Sequence, residues 1–163
     1  MFNYEEVELK AVELLEKHNM LIKPSIEVRK LAKLHKIKIE ERSLDREISG
    51  LLVVKDGNAV IGLDSDQSEV RKRFTIAHEL GHYFLHRDQK STFIDTEIFA
   101  RSKKTNQYER EANAFAAALL MPAPIIKSQI DELGSESISD SNISYLANKF
   151  KVSKPSMTYR LVN

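Results

Sequence analysis

The spacing of apolar residues along this 163-residue chain changes from a helical to a strand period and back, and those changes mark its elements. From Tyr4 to His18, Val7, Ala11, Leu14 and Leu15 recur at helical spacing, and Asn19 is a fitting stop. A second helix is expected from Pro24-Ser25, carrying Ile26, Val28, Leu31, Ala32 and Leu34, because an early proline beside a serine cap suits a helix start. The period then falls to two. Ile37 and Ile39 alternate with Lys36, Lys38 and Glu40, and Leu51–Val54 and Ala59–Ile61 flank the turn pair Asp56-Gly57. At least three strands follow, with Gly50 and Gly62 at bends or ends.

Asp66-x-x-Glu69 has the form of a capping box for a long apolar helix that runs to about His86. From Arg87 to Thr105 no period survives. This stretch is expected to be an ordered loop with a short edge strand, serving either as a substrate lid or as a plain connection. A helix rich in alanine and leucine spans Asn106 to Pro122, and another runs from Pro124 to a stop at Gly134. After a serine-rich linker, two short amphipathic segments around Lys151-Val-Ser153 resemble a helix-turn-helix. The pattern predicts an α+β fold, with a main domain over 1–134 and a small helical tail, 135–163, packed on it.

Composition narrows the classes. An apolar share of 42% with 30% charged residues is that of a soluble globular protein, and a net charge of +1 argues against a broad nucleic-acid or membrane footprint. The N-terminus lacks the features of a signal peptide, and no run of ~18 apolar residues occurs, so a cytoplasmic location is expected. With no cysteine in the chain, any metal must be held by His, Asp or Glu.

The chemistry gathers in Arg73–His86, which contains His78-Glu79-Leu80-Gly81-His82. Residues four apart on a helix lie about 40° from eclipsed, so both imidazoles face one metal ion. Glu79 follows the first ligand directly and is placed to take a proton from water at the metal. A chance match in a chain with five histidines is on the order of one or two in a hundred, and a strongly apolar helix rarely buries two histidines around a glutamate without a task.

Two histidines need a third protein ligand. On the alanine-rich helix the candidates are Glu109 and Glu111, which point about 160° apart. Glu109 shares a face with Asn113, an amide suited to hold a ligating histidine or carboxylate, and is favoured on that account. Against this, Asn106-x-x-Glu109 also reads as a capping box. His18 and His35, near helix ends, are expected as surface or C-terminal charge partners. Arg71-Lys72-Arg73 reads as a solvated face or as an anion contact.

Arg73–His86 and Glu109–Pro122, with the weaker Ile48-Ser-Gly-Leu-Leu hairpin and the tail motif Leu146-Ala-x-x-Phe-x-Val-Ser, resemble the ImmA/IrrE-type metallo-endopeptidases over about residues 24–161. The resemblance implies a zincin-like core, Zn2+ as the cofactor and an Xre-type helix-turn-helix repressor as the protein partner. Carried over by position, His78, His82 and Glu109 are the ligands of a gluzincin-like site and Glu79 the general base. His86 also matches, and is read as supporting a ligand because the spacing after His82 is not that of metzincins. Relatives with long sensing domains differ from this chain, which is expected to hold none.

An intracellular zinc endopeptidase is the leading expectation, with Mn2+ or Fe2+ also compatible with two histidines and a glutamate. Tyr83, His86 and Tyr108 are the candidates for steadying the oxyanion. Two alternatives remain: a non-catalytic, metal-stabilised module that binds a repressor or antitoxin-like partner, and a DNA-binding regulator using the tail.

Overall fold

A computed structural model describes residues 3–96, 106–134 and 136–163. Among them are seven helices and four strands, in the order α1 (Tyr4–Lys17), α2 (Val28–Leu34), β1 (Ile37–Arg42), β2 (Ile48–Lys55), β3 (Asn58–Asp64), α3 (Glu69–His86), β4 (Thr92–Thr96), α4 (Gln107–Leu120), α5 (Ala123–Leu133), α6 (Asp140–Phe150) and α7 (Lys154–Val162). The class is α+β. No helix among the described residues is long and apolar enough to cross a membrane.

The sheet has four strands in the order β1-β3-β2-β4: three before α3, as expected, and one in the stretch after Arg87, where a short edge strand was expected. β1 runs parallel to β3, while β2 is antiparallel to both β3 and β4. The β2–β3 turn is Asp56-Gly57 with both φ positive, at 50° and 76°, the primed turn that matches strand twist. The extra strand, β4, comes from the stretch without period after Arg87. It is five residues long and buries a single apolar side chain, Phe93, too little for a period to show. The part of the expected lid that falls on residues 97–105 lies outside the described residues.

Two helix starts differ from expectation. α3 is capped by Ser68, whose hydroxyl accepts from the Arg71 N–H at 3.2 Å. Asp66 is not the cap; its own N–H donates to Asp64 Oδ1 at 3.1 Å, in the turn that leaves β3. α2 begins at Val28 and not at Pro24-Ser25. Elsewhere the breakers act where they stand: Asn19 and Gly134 take left-handed φ of 54° and 62° just beyond α1 and α5.

One face of the sheet, with Leu52, Ile61, Leu63 and Phe93, packs on Ile76 and Leu80 of α3 and joins a single apolar core with Phe115 and Leu119 of α4. Fully burying a side chain of this kind contributes about 1.5–3 kcal/mol. α3 and α4 approach closely at Gly81, where a Cβ would lie 3.0 Å from Ala112 Cα. Leu146, Phe150 and Met157 of the terminal helices are buried in the same core.

The run 71–73 serves the interior more than solvent. Lys72 reaches Glu41 at 3.1 Å and Glu69 at 3.4 Å. The Arg73 guanidinium donates to the carbonyls of Ile26 (2.8 Å), Lys151 (3.2 Å) and Phe150 (3.4 Å). Arg71 remains exposed.

Candidate metal centre

α3 carries His78, Glu79 and His82 into the interior, at 6%, 0% and 0% exposure. The two imidazoles lie one turn apart with their Nε2 atoms 3.1 Å from each other. α4, brought close by Gly81, adds Glu109, with Oε2 at 3.2 Å from His78 Nε2 and Oε1 at 3.2 Å from His82 Nε2. The sheet adds a fourth group that sequence reasoning missed. Asp95 of β4 puts Oδ2 at 3.0 Å from His78 Nε2 and Oδ1 at 3.8 Å from His82 Nε2.

These donors suit a divalent metal. One ligand atom from each of His78, His82, Asp95 and Glu109 lies within 4.8 Å of the others. A tetrahedral ion with bonds of about 2.0–2.1 Å sets its ligands about 3.3–3.4 Å apart, close to the separations seen. Both oxygens of Asp95 and both of Glu79 are buried and find no partner beyond the ligand histidines and each other, which costs stability unless a cation or proton compensates.

The second nitrogens are occupied, and that fixes which atoms face the centre. His78 Nδ1 donates to Asn113 Oδ1 at 2.9 Å, leaving Nε2 as the nitrogen that faces the centre. His82 Nδ1 donates to His86 Nδ1 at 3.1 Å, and His86 Nε2 donates to Glu111 Oε2 at 2.7 Å, with Gln107 donating to the other oxygen of Glu111 at 2.7 Å. Burial, with the charge of His82, lowers the pKa of His86 despite Glu111, consistent with a neutral ring that can accept from His82.

The charges are tightly linked. Burial disfavours a proton on His78, but Asp95 and Glu109 outweigh it and raise its pKa to about 10. A metal arriving at Nε2 therefore displaces a proton. Burial, then Asp95 and Glu109, push the Glu79 carboxyl well above its usual range. Burial also acts to raise Asp95, yet its contacts with Glu79, His78 and His82 hold it far below the usual range.

His78, His82 and Glu109 converge, Glu79 lies beside them, Asn113 meets His78, and His86 meets His82. Glu111 supports His86 and does not reach the ligand group. Asn106 does cap α4, accepting from the Glu109 N–H at 2.9 Å, while the Glu109 side chain turns to the histidines. Of the oxyanion candidates, Tyr108 lies against His86 with ring centres 4.7 Å apart, and Tyr83 carries Arg87 over its ring. His18 and His35 lie outside the cluster, at the C-terminal caps of α1 and α2, with their Nε2 atoms 2.8 Å apart.

Residues 32–162 match the family model described as the IrrE N-terminal-like domain, peptidase M78. The radiation response metalloprotease IrrE of Deinococcus radiodurans is 31% identical over 102 residues, covering 63% of this chain and 30% of that protein. The uncharacterized immunity region protein 2 of Bacillus phage phi105 is 35% identical over 81 residues, 49% of each chain. The matched stretch thus spans less than a third of one relative and about half of the other.

Proposed function

The chain belongs to the IrrE N-terminal-like family of M78 peptidases, and from that premise we propose that it is an intracellular zinc endopeptidase with a zincin-like core. The observation that carries this reading is the convergence of His78, His82 and Glu109 beside a fully buried Glu79.

Zinc held by those three residues would supply a Lewis acid that polarises the scissile carbonyl and acidifies water. The remaining steps belong to the chain. Glu79, buried beside the ligand histidines, takes the proton of the attacking water on a carboxylate oxygen and returns it to the leaving amine. Asn113, and His86 backed by Glu111, keep the two ligand rings in one tautomer and orientation. β4 is an outer strand of the sheet, and among the described residues no strand pairs with its other edge, so an extended peptide can lie along it beside the histidines.

The substrate we propose is an Xre-type helix-turn-helix repressor, as the family resemblance implies. The relatives, a radiation response metalloprotease and a phage immunity region protein, accord with it. A direct DNA-binding role finds little support in the tail, since Lys149, Lys154 and Arg160 are paired with Glu132, Asp140 and Glu8. A second reading, a metal-stabilised module that binds its partner without cutting, draws on one observation: Asp95 completes a closed set of four donors.

The two separate in one experiment. Wild type and Glu79→Gln are each assayed for bound zinc and for discrete fragments of a co-expressed Xre-type repressor. The peptidase reading expects about one zinc in both proteins and fragments from the wild type alone. Partner binding with no fragments from either protein would establish the module instead.

A further inference from the structure

Catalytic zinc sites keep one coordination position for water, whereas closed sets of four protein ligands are the mark of structural sites. The described chain offers four donors. The fourth, Asp95, has a side chain 13% exposed, with Oδ2 3.0 Å from His78 Nε2 and Oδ1 3.8 Å from His82 Nε2, so both oxygens face the ligand nitrogens. A carboxylate so placed is stable beside a cation and costly without one.

The backbone aims it there. Phe93 and Asp95 share the inner face of β4, while Ile94 between them points out at 52% exposure. Phe93 stacks on His82 with ring centres 4.2 Å apart, which fixes the strand over the α3 helix. The β2–β4 pairing shifts register at this point: Gly50 faces Asp95, and Ile48 faces Thr96. Ser49, the extra residue, donates its hydroxyl to the Asp95 carbonyl at 3.3 Å. Bulges next to active sites commonly re-aim a side chain. Opposite Asp95 the chain has no side chain at all: a Cβ on Gly50 would collide with the Thr75 methyl and stand 3.3 Å from Glu79 Oε1.

We infer that Asp95 is a fourth protein ligand that occupies the position hydrolysis needs open, so that the chain holds its metal in a latent state until the Asp95 carboxylate is displaced. The inference rests on the metal site proposed above. Charge supports it: two carboxylates neutralise a divalent ion, and withdrawal of Asp95 leaves a site with a net positive charge that attracts a carbonyl oxygen or water. The exchange is of ligands alone, one carboxylate oxygen leaving as one oxygen donor enters.

The test compares wild type with Asp95→Ala and with Asp95→Asn, which keeps the shape and removes the charge should the alanine variant not fold. Zinc affinity is measured by chelator competition, and acetohydroxamate is titrated into the Co2+-loaded proteins while their visible bands are followed. The expected result is zinc affinity at least about tenfold weaker in the variants. With it, acetohydroxamate perturbs the variant spectra at concentrations at least about tenfold lower than it needs in the wild type. Equal zinc affinity, or an equal response to acetohydroxamate, overturns the inference and leaves the three-ligand site standing. A wild type that takes up no zinc overturns the metal site itself, and this inference with it.

Discussion

The His78 ring and the Asn113 side chain meet at 2.9 Å, Nδ1 to Oδ1, so an amide on α4 sets the tautomer of a histidine on α3. Asn113 itself is exposed, and its removal leaves the core untouched. Asn113→Ala is expected to keep its fold and to weaken zinc binding by about 10–100-fold. Chelator competition beside a circular dichroism spectrum checks both halves.

The two glutamates of α4 have different tasks, and their variants separate them. Glu109→Ala takes away two contacts to the ligand nitrogens and is expected to leave the protein without stoichiometric zinc. Glu111→Ala removes the acceptor behind His86 and is expected to retain zinc with affinity about tenfold lower. Elemental analysis after dialysis against a weak chelator gives the answer; equal loss in both would remove the distinction.

Gly81 lets α3 lie close against α4. A Cβ there would press on the Ala112 backbone at 3.0–3.1 Å, and backbone cannot swing aside. Gly81→Ala gains helix propensity of up to about 1 kcal/mol but forces the helices apart, and the overpacking cost of about 1–3 kcal/mol is expected to win. Urea denaturation should show a net loss of stability accompanied by weaker zinc binding, because Glu109 moves with α4.

His18 and His35 form a pH-sensitive contact away from the centre. Burial first, then His18, Lys17 and Arg87, lower the pKa of His35 below its ordinary 6.5. The folded chain therefore takes up this proton less readily than the unfolded chain, so this contribution to stability is present above about pH 6.5 and is lost as pH falls toward the lowered value. His35→Gln should flatten that part of the profile. Urea midpoints at about pH 7.5 and about pH 5.5 decide it: the drop should be smaller in the variant than in the wild type.

What the sequence disclosed divides along physical lines. Helical spacing is local and regular, so the shared face of His78 and His82, and that of Glu109 and Asn113, followed from counting residues. Asp95 did not, because its place depends on β4 pairing with β2 more than 40 residues earlier and on a bulge at Ser49 that no local pattern announces. One signal was present: in Phe93-Ile94-Asp95 a strand reading puts the acid on the same side as the buried phenylalanine. The α3 start was misplaced by competition between neighbours, since Asp64, Asp66 and Ser68 can all cap or turn a backbone and the Asp64 turn took up the Asp66 N–H.

Arg73 lies five residues before His78 on the same helix, and its guanidinium holds the carbonyls where α6 ends, together with that of Ile26. In mechanical terms this removes the hinge between the helix that bears the histidines and the chain's last two helices. The tie acts as a brace, setting the end of α6 against the helix that carries the histidines little more than one turn before the first of them.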